Sequence, residues 1–464
     1  MTDTCAAIST AIGKAGISVI RISGDEAVSI ADRIFRTASG KKLCETDANK
    51  AVFGTVYDKN GKKIDTGLVT VFKAPRSYTG EDTVEISCHG SVVGTSLVLG
   101  AILDAGARHA LPGEFTKRAF INGKLDLTQA EAVADLLDAE NADQLRMFSA
   151  QLEGGLGKKI KACSDKITEM LAAVYAYIDY PDEDMSDMSD DELEATINEV
   201  KAEVHKLCSS YASGTAVAKG VATAIVGAPN TGKSTFFNLL AGFDRAIVTD
   251  IAGTTRDVIT ESVNVAGIKL LISDTAGIRE TDDTVEKIGV ERSKNAIDEC
   301  ELCIAVFDGS RKMSDDDISF AKETSLLATN KNVVAIINKT DIADKELLSE
   351  PEKTLAEAGF LNILLMSAEK GDGKTDFDKI ISGFYPEAQN GIQSGVIITN
   401  ARQYAAVSGA YDSLERALTA MKTLTRDMAG LDLEEALKAL CEADGREVSE
   451  QIVSTIFSRF CVGK

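Results

Sequence analysis

Apolar and polar positions follow three rhythms along this chain. In residues 1–121, runs rich in β-branched residues predict strands at Ile17–Ser23, Ala51–Asp58, Gly67–Ala74 and Val84–Ser87, and helical spacing predicts a helix at Ser91–Ala105. From Thr128 to Tyr180 apolar residues repeat at three and four, which predicts helix, and Asp190–Ser210 resumes that pattern. Gly214–Gly220 reads as a hinge. Val221–Tyr385 then changes rhythm: the apolar runs VATAIV, IKLLIS, LCIAVF, NVVAII and ILLM alternate with helical segments, as in an α/β sheet. Pro386 and Gln389-Asn390-Gly391 mark a further boundary, after which Thr399–Leu424 and Leu431–Phe460 return to helix.

Helices thus flank the α/β segment on both sides. The expected fold class is multidomain, α/β plus α. A mixed α+β domain spans 1–121. A helical domain in two parts, 122–219 and 386–464, is interrupted by an α/β domain at 220–385 with a twisted, mostly parallel sheet. Insertion at a surface loop with close ends is physically easy.

Composition narrows the classes. At 464 residues the chain is too long for one core, and 44% hydrophobic with 26% charged residues is ordinary for a globular protein. No run of 18 apolar residues exists and MTDTCAAIST lacks a basic-then-apolar leader, so neither a membrane span nor secretion is expected, and a cytoplasmic location follows. The nine cysteines are expected to be free thiols, and Cys300-x-x-Cys303, opening an apolar strand, to pack rather than do redox work. His89 reads as a turn or core histidine. The net charge is −22, of which residues 1–121 contribute +2 and the remainder −24. Such a surface repels nucleic acid, whose binding depends on cations that displace counterions. Any work on RNA then needs a basic partner or a local patch. Pro181–Glu194, with eight acids in fourteen positions, reads as a solvated linker into a helix cap.

Chemistry concentrates after the run Val221–Val226. Gly227 opens G-x-x-x-x-G-K-S, closing on Gly232, Lys233 and Ser234 before a helix. Strand, glycine loop and helix together make a phosphate site: backbone N–H groups wrap the anion and the helix N-terminus adds positive potential. Lys233 would reach the β- and γ-phosphates, and the Ser234 hydroxyl would bind Mg²⁺. Four further stretches fall in order. TDIAGTTRD carries Thr254-Thr255-Arg256, with Thr255 a second Mg²⁺ ligand. A strand ends in Asp274-Thr275-Ala276-Gly277, where the aspartate reaches Mg²⁺ through water and the glycine N–H senses the γ-phosphate. Another ends in Asn338-Lys339-Thr340-Asp341, where the carboxylate can accept guanine N1–H and N2–H₂, and Lys339 can lay its stem against the base. A last one ends in Ser367-Ala368-Glu369, whose backbone can meet guanine O6. Adenine would leave Asp341 unpaired. Singly each match is weak; five in order at strand ends specify a guanine-nucleotide site. Ile278 stands where a water-orienting Gln is found in Ras-like proteins, so hydrolysis needs another water-positioning group and another positive charge, for which Arg256 and Arg279 are candidates.

Across essentially its whole length the sequence resembles the tRNA-modification GTPase family MnmE, also called TrmE. The resemblance rests on Ile20-Arg21-Ile22-Ser23-Gly24, Tyr78-Thr79-Gly80-Glu81-Asp82, Leu111-Pro112-Gly113-Glu114-Phe115-Thr116 with Arg118-Ala119-Phe120, Lys124-Leu125-Asp126-Leu127, TDIAGTTRD, and the terminal Phe460-Cys461-Val462-Gly463-Lys464. It implies a folate-binding-like N-terminal domain that dimerises, a Ras-like P-loop GTPase domain, and a complex with the flavin-dependent partner MnmG (GidA). The two would build an aminomethyl-type group on C5 of the wobble uridine of certain tRNAs from a tetrahydrofolate one-carbon unit, with FAD and NADH acting on the partner. GTP hydrolysis would drive a conformational cycle. Arg21, Glu85 and Lys124 match the family's folate contacts, with Lys464 near them. Cys461 sits where a reactive thiol is conceivable, though packing is the simpler role.

The resemblance also implies that two GTPase domains meet face to face with K⁺ in place of an arginine finger, held by Asn230 and by backbone oxygens of Thr249, Ile251 and Thr254. Glu286 would orient the attacking water through a bridging water, so that Glu286, Lys233 and Thr255 form the catalytic set. The nucleotide contacts extend over Asn230, Thr231, Gly232, Lys233, Ser234 and Thr235, then Thr249, Asp250, Ile251, Ala252, Gly253, Thr254 and Thr255. Ala228 and Thr231 depart from better-known members, although neither side chain is needed to bind phosphate. The competing reading is an RNA-binding assembly factor of the Era or Der kind, but the flanks are acidic helices with no basic G-x-x-G loop; a signalling switch would need slow hydrolysis and effectors.

Overall fold

The computed structural model describes residues 3–179, 188–243, 261–272, 294–344, 348–423 and 426–464. The chain falls into two compact units: Met1–Ala134 with Ile160–Ser164 and Leu437–Lys464, and Asp135–Lys159 with Asp165–Ala436.

The first unit is built on a sheet of seven strands: β1 (Cys5–Ile8), β2 (Ile17–Ser23), β3 (Phe35–Thr37), β4 (Ala51–Tyr57), β5 (Lys63–Phe72), β6 (Thr83–His89) and β7 (Arg108–His109). Their order is β3-β4-β5-β6-β2-β1-β7, antiparallel except for β1 beside β7. Side chains alternate faces along a strand. One face, with Ile20, Ile22, Val84 and Ile86, is sealed by helices Ala27–Ile34 and Val92–Asp104 through Ile30, Val98 and Ile102. Burying each such aliphatic side chain contributes about 1.5–3 kcal/mol. The same alternation places Arg21 and Glu85 on the other face, where the β2–β6 register makes them direct cross-strand partners. The chain's end belongs to this unit. Helix Glu450–Phe457 packs Val453 and Phe457 on Leu127 and Ala130, and Val462 bridges to Pro112.

The second unit contains a six-stranded sheet: β8 (Val221–Val226), β9 (Glu261–Val265), β10 (Ile268–Ile272), β11 (Leu302–Asp308), β12 (Asn332–Asn338) and β13 (Ile363–Leu365), in the order β13-β12-β11-β8-β10-β9. All neighbours are parallel except β9 and β10. The apolar runs are continuous because both faces are buried. Ile304, Val306, Val334 and Ile336 enter one core, and Cys303, Ala305, Ala335 and Ile337 enter another. Cys300 and Cys303 are both buried, as their packing role requires. No described helix is long and apolar enough to cross a membrane.

Strand expectations at 17–23, 51–58, 67–74 and 84–87 correspond to β2, β4, β5 and β6, β5 beginning earlier at Lys63. The expected helix Thr128–Tyr180 is divided into Leu127–Leu137, Ala142–Leu152 and Gly155–Asp179. Asn141 caps the second piece by accepting Asp143 and Gln144 N–H, and Gly154 adopts φ 77° before the third. The expected helix Leu431–Phe460 is likewise divided, into Arg426–Asp444 and Glu450–Phe457, with Gly445 at φ 89° between them. Two expected breaks are helices. Tyr211–Ala218 occupies the supposed hinge, and Ala388–Ser394 spans the supposed boundary at 389–391. Their glycines serve close packing rather than chain reversal: a Cβ on Gly214 would stand 2.0 Å from Ile398 O, and one on Gly391 2.4 Å from Ile397 Cδ1. His89 is neither turn nor core. It ends β6 exposed, its Nδ1 2.8 Å from Asp65 Oδ1.

Candidate functional site

The glycine loop closes between β8 and the helix Lys233–Phe243. Two glycines are required by contact. A Cβ on Gly227 would lie 2.3 Å from Val306 O, and one on Gly232, at φ 93°, 2.2 Å from Asn338 Nδ2. Thr231 is buried and its hydroxyl donates to Ala228 O at 3.0 Å, so this residue ties the loop to itself. Lys233 Nζ donates to Gly227 O and Ala228 O at 2.9 Å, which holds the ammonium inside the loop, where burial lowers its pKa. Ser234 and Thr235 follow in the first turn of the helix, whose N–H groups open toward the loop. Asn230 is exposed at φ 62°, a left-handed conformation that Asn tolerates.

The residues expected to recognise the base meet at the ends of β12 and β13. Asn338, buried at the end of β12, donates from Nδ2 to Thr231 O at 3.0 Å and accepts Ala368 N–H on Oδ1 at 2.9 Å. One side chain therefore joins the phosphate loop, the Asn-Lys-Thr-Asp turn and the Ser-Ala-Glu turn. Ser367, fully buried, donates to Asp341 Oδ1 at 2.8 Å. Lys339, at φ 64°, pairs with Asp308 Oδ2 at 2.7 Å. Ala368 is buried and Glu369 exposed. Ser367 thus ties the Asp341 carboxylate to the turn that carries Ala368. Sequence reasoning missed Asp308. Its signal was an acidic residue closing an otherwise apolar strand, LCIAVFD, beside β12.

Thr249, Asp250, Ile251, Ala252, Gly253, Thr254, Thr255, Asp274, Thr275, Ala276, Gly277 and Glu286, with Arg256, Ile278 and Arg279, lie outside the described residues.

In the first unit, Arg21 Nε donates to Glu85 Oε1 at 2.9 Å, and Nη2 makes an ion pair with the same oxygen at 2.8 Å. The guanidinium carbon lies 5.0 Å from the Tyr78 ring centre and 5.4 Å from that of Phe115. Phe115 N–H in turn donates to Lys464 O at 3.0 Å, so the last residue is fixed one contact from Arg21. Gly463 permits this approach: a Cβ there would meet Ile8 O at 2.0 Å. Lys124 is exposed on the neighbouring loop, donating to Pro75 O at 3.1 Å. Cys461 is also exposed, so the packing role expected of it does not hold.

The Thr-Gly-Glu-Asp and Pro-Gly-Glu-Phe motifs prove to be partners. Buried Arg118 binds Glu81 at 2.8 Å and Glu114 at 2.7 Å, and Arg108 clamps Glu114 and Asp3. Burial alone would raise the Glu114 pKa, but hydrogen bonds from Arg108, Leu111 N–H and Arg118 outweigh it and hold the carboxyl at about 2.

Residues 127–461 match the family described as MnmE helical domain, and residues 4–124 match GTP-binding protein TrmE N-terminus. The chain is similar to the tRNA modification GTPase MnmE of Clostridioides difficile (strain 630), 42% identical over 100% of this chain and 99% of that one. It is likewise similar to the tRNA modification GTPase MnmE of Acetivibrio thermocellus, 38% identical over the same shares. Among solved structures, Aquifex aeolicus Era bound to GDP and aluminium fluoride aligns with 41% of this chain and 65% of its own at 26% identity, with a TM-score of 0.26. The chain belongs to the MnmE family of tRNA modification GTPases.

Proposed function

From that membership we propose that this GTPase works with a flavin-dependent partner of the MnmG (GidA) kind to add an aminomethyl or carboxymethylaminomethyl group to C5 of the wobble uridine, U34, of certain tRNAs. The one-carbon unit comes from a tetrahydrofolate, and FAD and NADH act on the partner. One observation carries the nucleotide half of the reading: Asn338 joins the phosphate loop to both base-contacting turns, so one rigid frame spans the guanine and the phosphates. The tRNA half rests on family membership.

The proposed division is an N-terminal domain over 1–121, a helical domain over 122–219 and 386–464, and an inserted GTPase domain over 220–385. Mg²⁺ would be held by Ser234 and Thr255, and K⁺ by Asn230 with backbone oxygens of Thr249, Ile251 and Thr254. All are hard oxygen donors of the kind these cations take. K⁺ so held would supply positive charge for hydrolysis, for which no glutamine follows Gly277. Asn230, exposed at the loop's tip, supports that assignment. Lys233 counters phosphate charge, and Glu286 orients the water.

For the folate, the Arg21–Glu85 pair offers both donors and a carboxylate beside two aromatic rings, complementary to a pterin edge and to the glutamate carboxylates. Lys124 and the fixed terminus at Lys464 complete this group. A homodimer is supported by an apolar face of the first unit on which Ile12 is 76% exposed, Val92 52% and Val93 71%. The −22 charge favours a partner that supplies most of the tRNA-binding cations in the cytoplasm.

The test is reconstitution with the flavoprotein, GTP, a one-carbon tetrahydrofolate and unmodified tRNA, with nucleoside mass spectrometry as readout. Modified U34 that depends on this chain is expected. Unchanged U34 modification in cells lacking the chain, together with GTP-dependent binding to ribosomal subunits, would overturn the reading in favour of an assembly factor. GTP turnover in K⁺ against Na⁺ at equal ionic strength checks the cation, with strong K⁺ activation lost in Asn230→Ala.

A further inference from the structure

The geometry points to Asp308 as a positioning residue for guanine-nucleotide binding, acting through Lys339. This rests on the reading of the Asn-Lys-Thr-Asp turn as the base site. Asp308 ends β11 directly opposite Asn338 in the parallel register. Its side chain is only 10% exposed and fully engaged: Oδ1 accepts Ser310 N–H at 2.9 Å and Ser310 Oγ–H at 2.6 Å, while Oδ2 receives Lys339 Nζ at 2.7 Å. Burial works against its charge, yet Lys339 and Ser310 outweigh that and keep the carboxyl below its ordinary range. Gly309 locks the turn further, its N–H donating to Asn338 O at 2.8 Å.

The consequence lies in Lys339. A lysine in solution samples many rotamers, and ordering one costs conformational entropy. Here the backbone sits at φ 64° and the ammonium is already anchored, so the aliphatic stem is fixed before a base arrives. The anchor also neutralises a charge that would otherwise be desolvated beneath a purine. Two other recognition groups have their own support, Asn338 from Thr231 and Ala368, and Asp341 from Ser367. Asp308 completes this set without touching the nucleotide.

The test is a double-mutant cycle on GDP affinity, using full-length Asp308→Asn, Lys339→Met and the pair, with thermal midpoint measured for each. Asp308→Asn is expected to weaken GDP about tenfold in the native background and to have no further effect once Lys339 is Met. Ser310→Ala, which withdraws one donor from Asp308, is expected to give a loss of about threefold. An equal loss from Asp308→Asn in both backgrounds would mean a merely structural role and overturns the inference, as does unchanged GDP affinity. Asp341→Asn is measured in parallel, with loss of GDP and gain of xanthosine diphosphate expected. If Asp341→Asn leaves GDP binding intact, the base-site reading itself fails; if only Asp308→Asn is silent, the base site stands and Asp308 does not position it.

Discussion

Asn338 Nδ2 donates to the carbonyl of Thr231, 107 residues earlier in the chain, and the two atoms lie 3.0 Å apart. This bond fixes the base-binding turn to the phosphate loop. Removing it with Asn338→Ala leaves Thr231 O and Ala368 N–H, both buried, without these partners, at about 1–3 kcal/mol each. GDP affinity, read by a fluorescent GDP analogue, should fall at least tenfold. Gly232→Ala should match or exceed that loss, because its Cβ would collide with the same nitrogen. Retained affinity in both variants would show that the two halves of the site bind independently.

The Glu114 carboxyl sets an acid limit on the first unit. Its folded pKa, about 2, is depressed from an ordinary value of 4.5. The stabilisation is therefore fully present above about pH 4.5 and is lost as pH falls toward 2, an effect of about 3 kcal/mol. Calorimetry of the full chain between pH 6 and 2 should show its thermal transition falling steeply across that window. Glu114→Gln should be less stable at pH 6 and flatter below pH 4.5, and an identical pH slope in the variant would refute the assignment.

Arg21 lies against two rings, Tyr78 and Phe115, and pairs with Glu85, all within the first unit. Arg21→Met should weaken binding of a reduced folate, measured by calorimetric titration, by at least about tenfold, as removal of a charge-assisted hydrogen bond predicts. GTP turnover by the same protein should remain within about twofold of the native rate. Unchanged folate affinity would remove Arg21 from the candidate contacts.

Val93 lies on the exposed side of helix Val92–Asp104, 71% exposed and next in sequence to Val92, which lines a small recess with Ile12. Burying a charge in an apolar interface is costly, whereas on open surface it is tolerated. Val93→Glu should leave the thermal midpoint nearly unchanged and shift the sedimentation coefficient from dimer to monomer. A variant that remains dimeric would place the interface elsewhere.

The sequence legibly determined every element whose periodicity and end signals agree. β2, β4, β6, β8, β11 and β12 follow from β-branched or apolar runs, and the guanine-nucleotide motifs follow from fixed spacings at strand ends. Local pattern misled at Gly214 and Gly391. There the absence of a side chain serves contact with Ile398 and Ile397, partners far away or out of view of a local rule. Only the tertiary structure decided that Asp308 meets Lys339, that Asn338 meets Thr231, and that the terminal Lys464 reaches Phe115 beneath Arg21. The physical reason is common to all three. A spacing encodes the conformation of one segment, whereas strand order and register determine which segments face each other, and those depend on cores assembled from the whole chain.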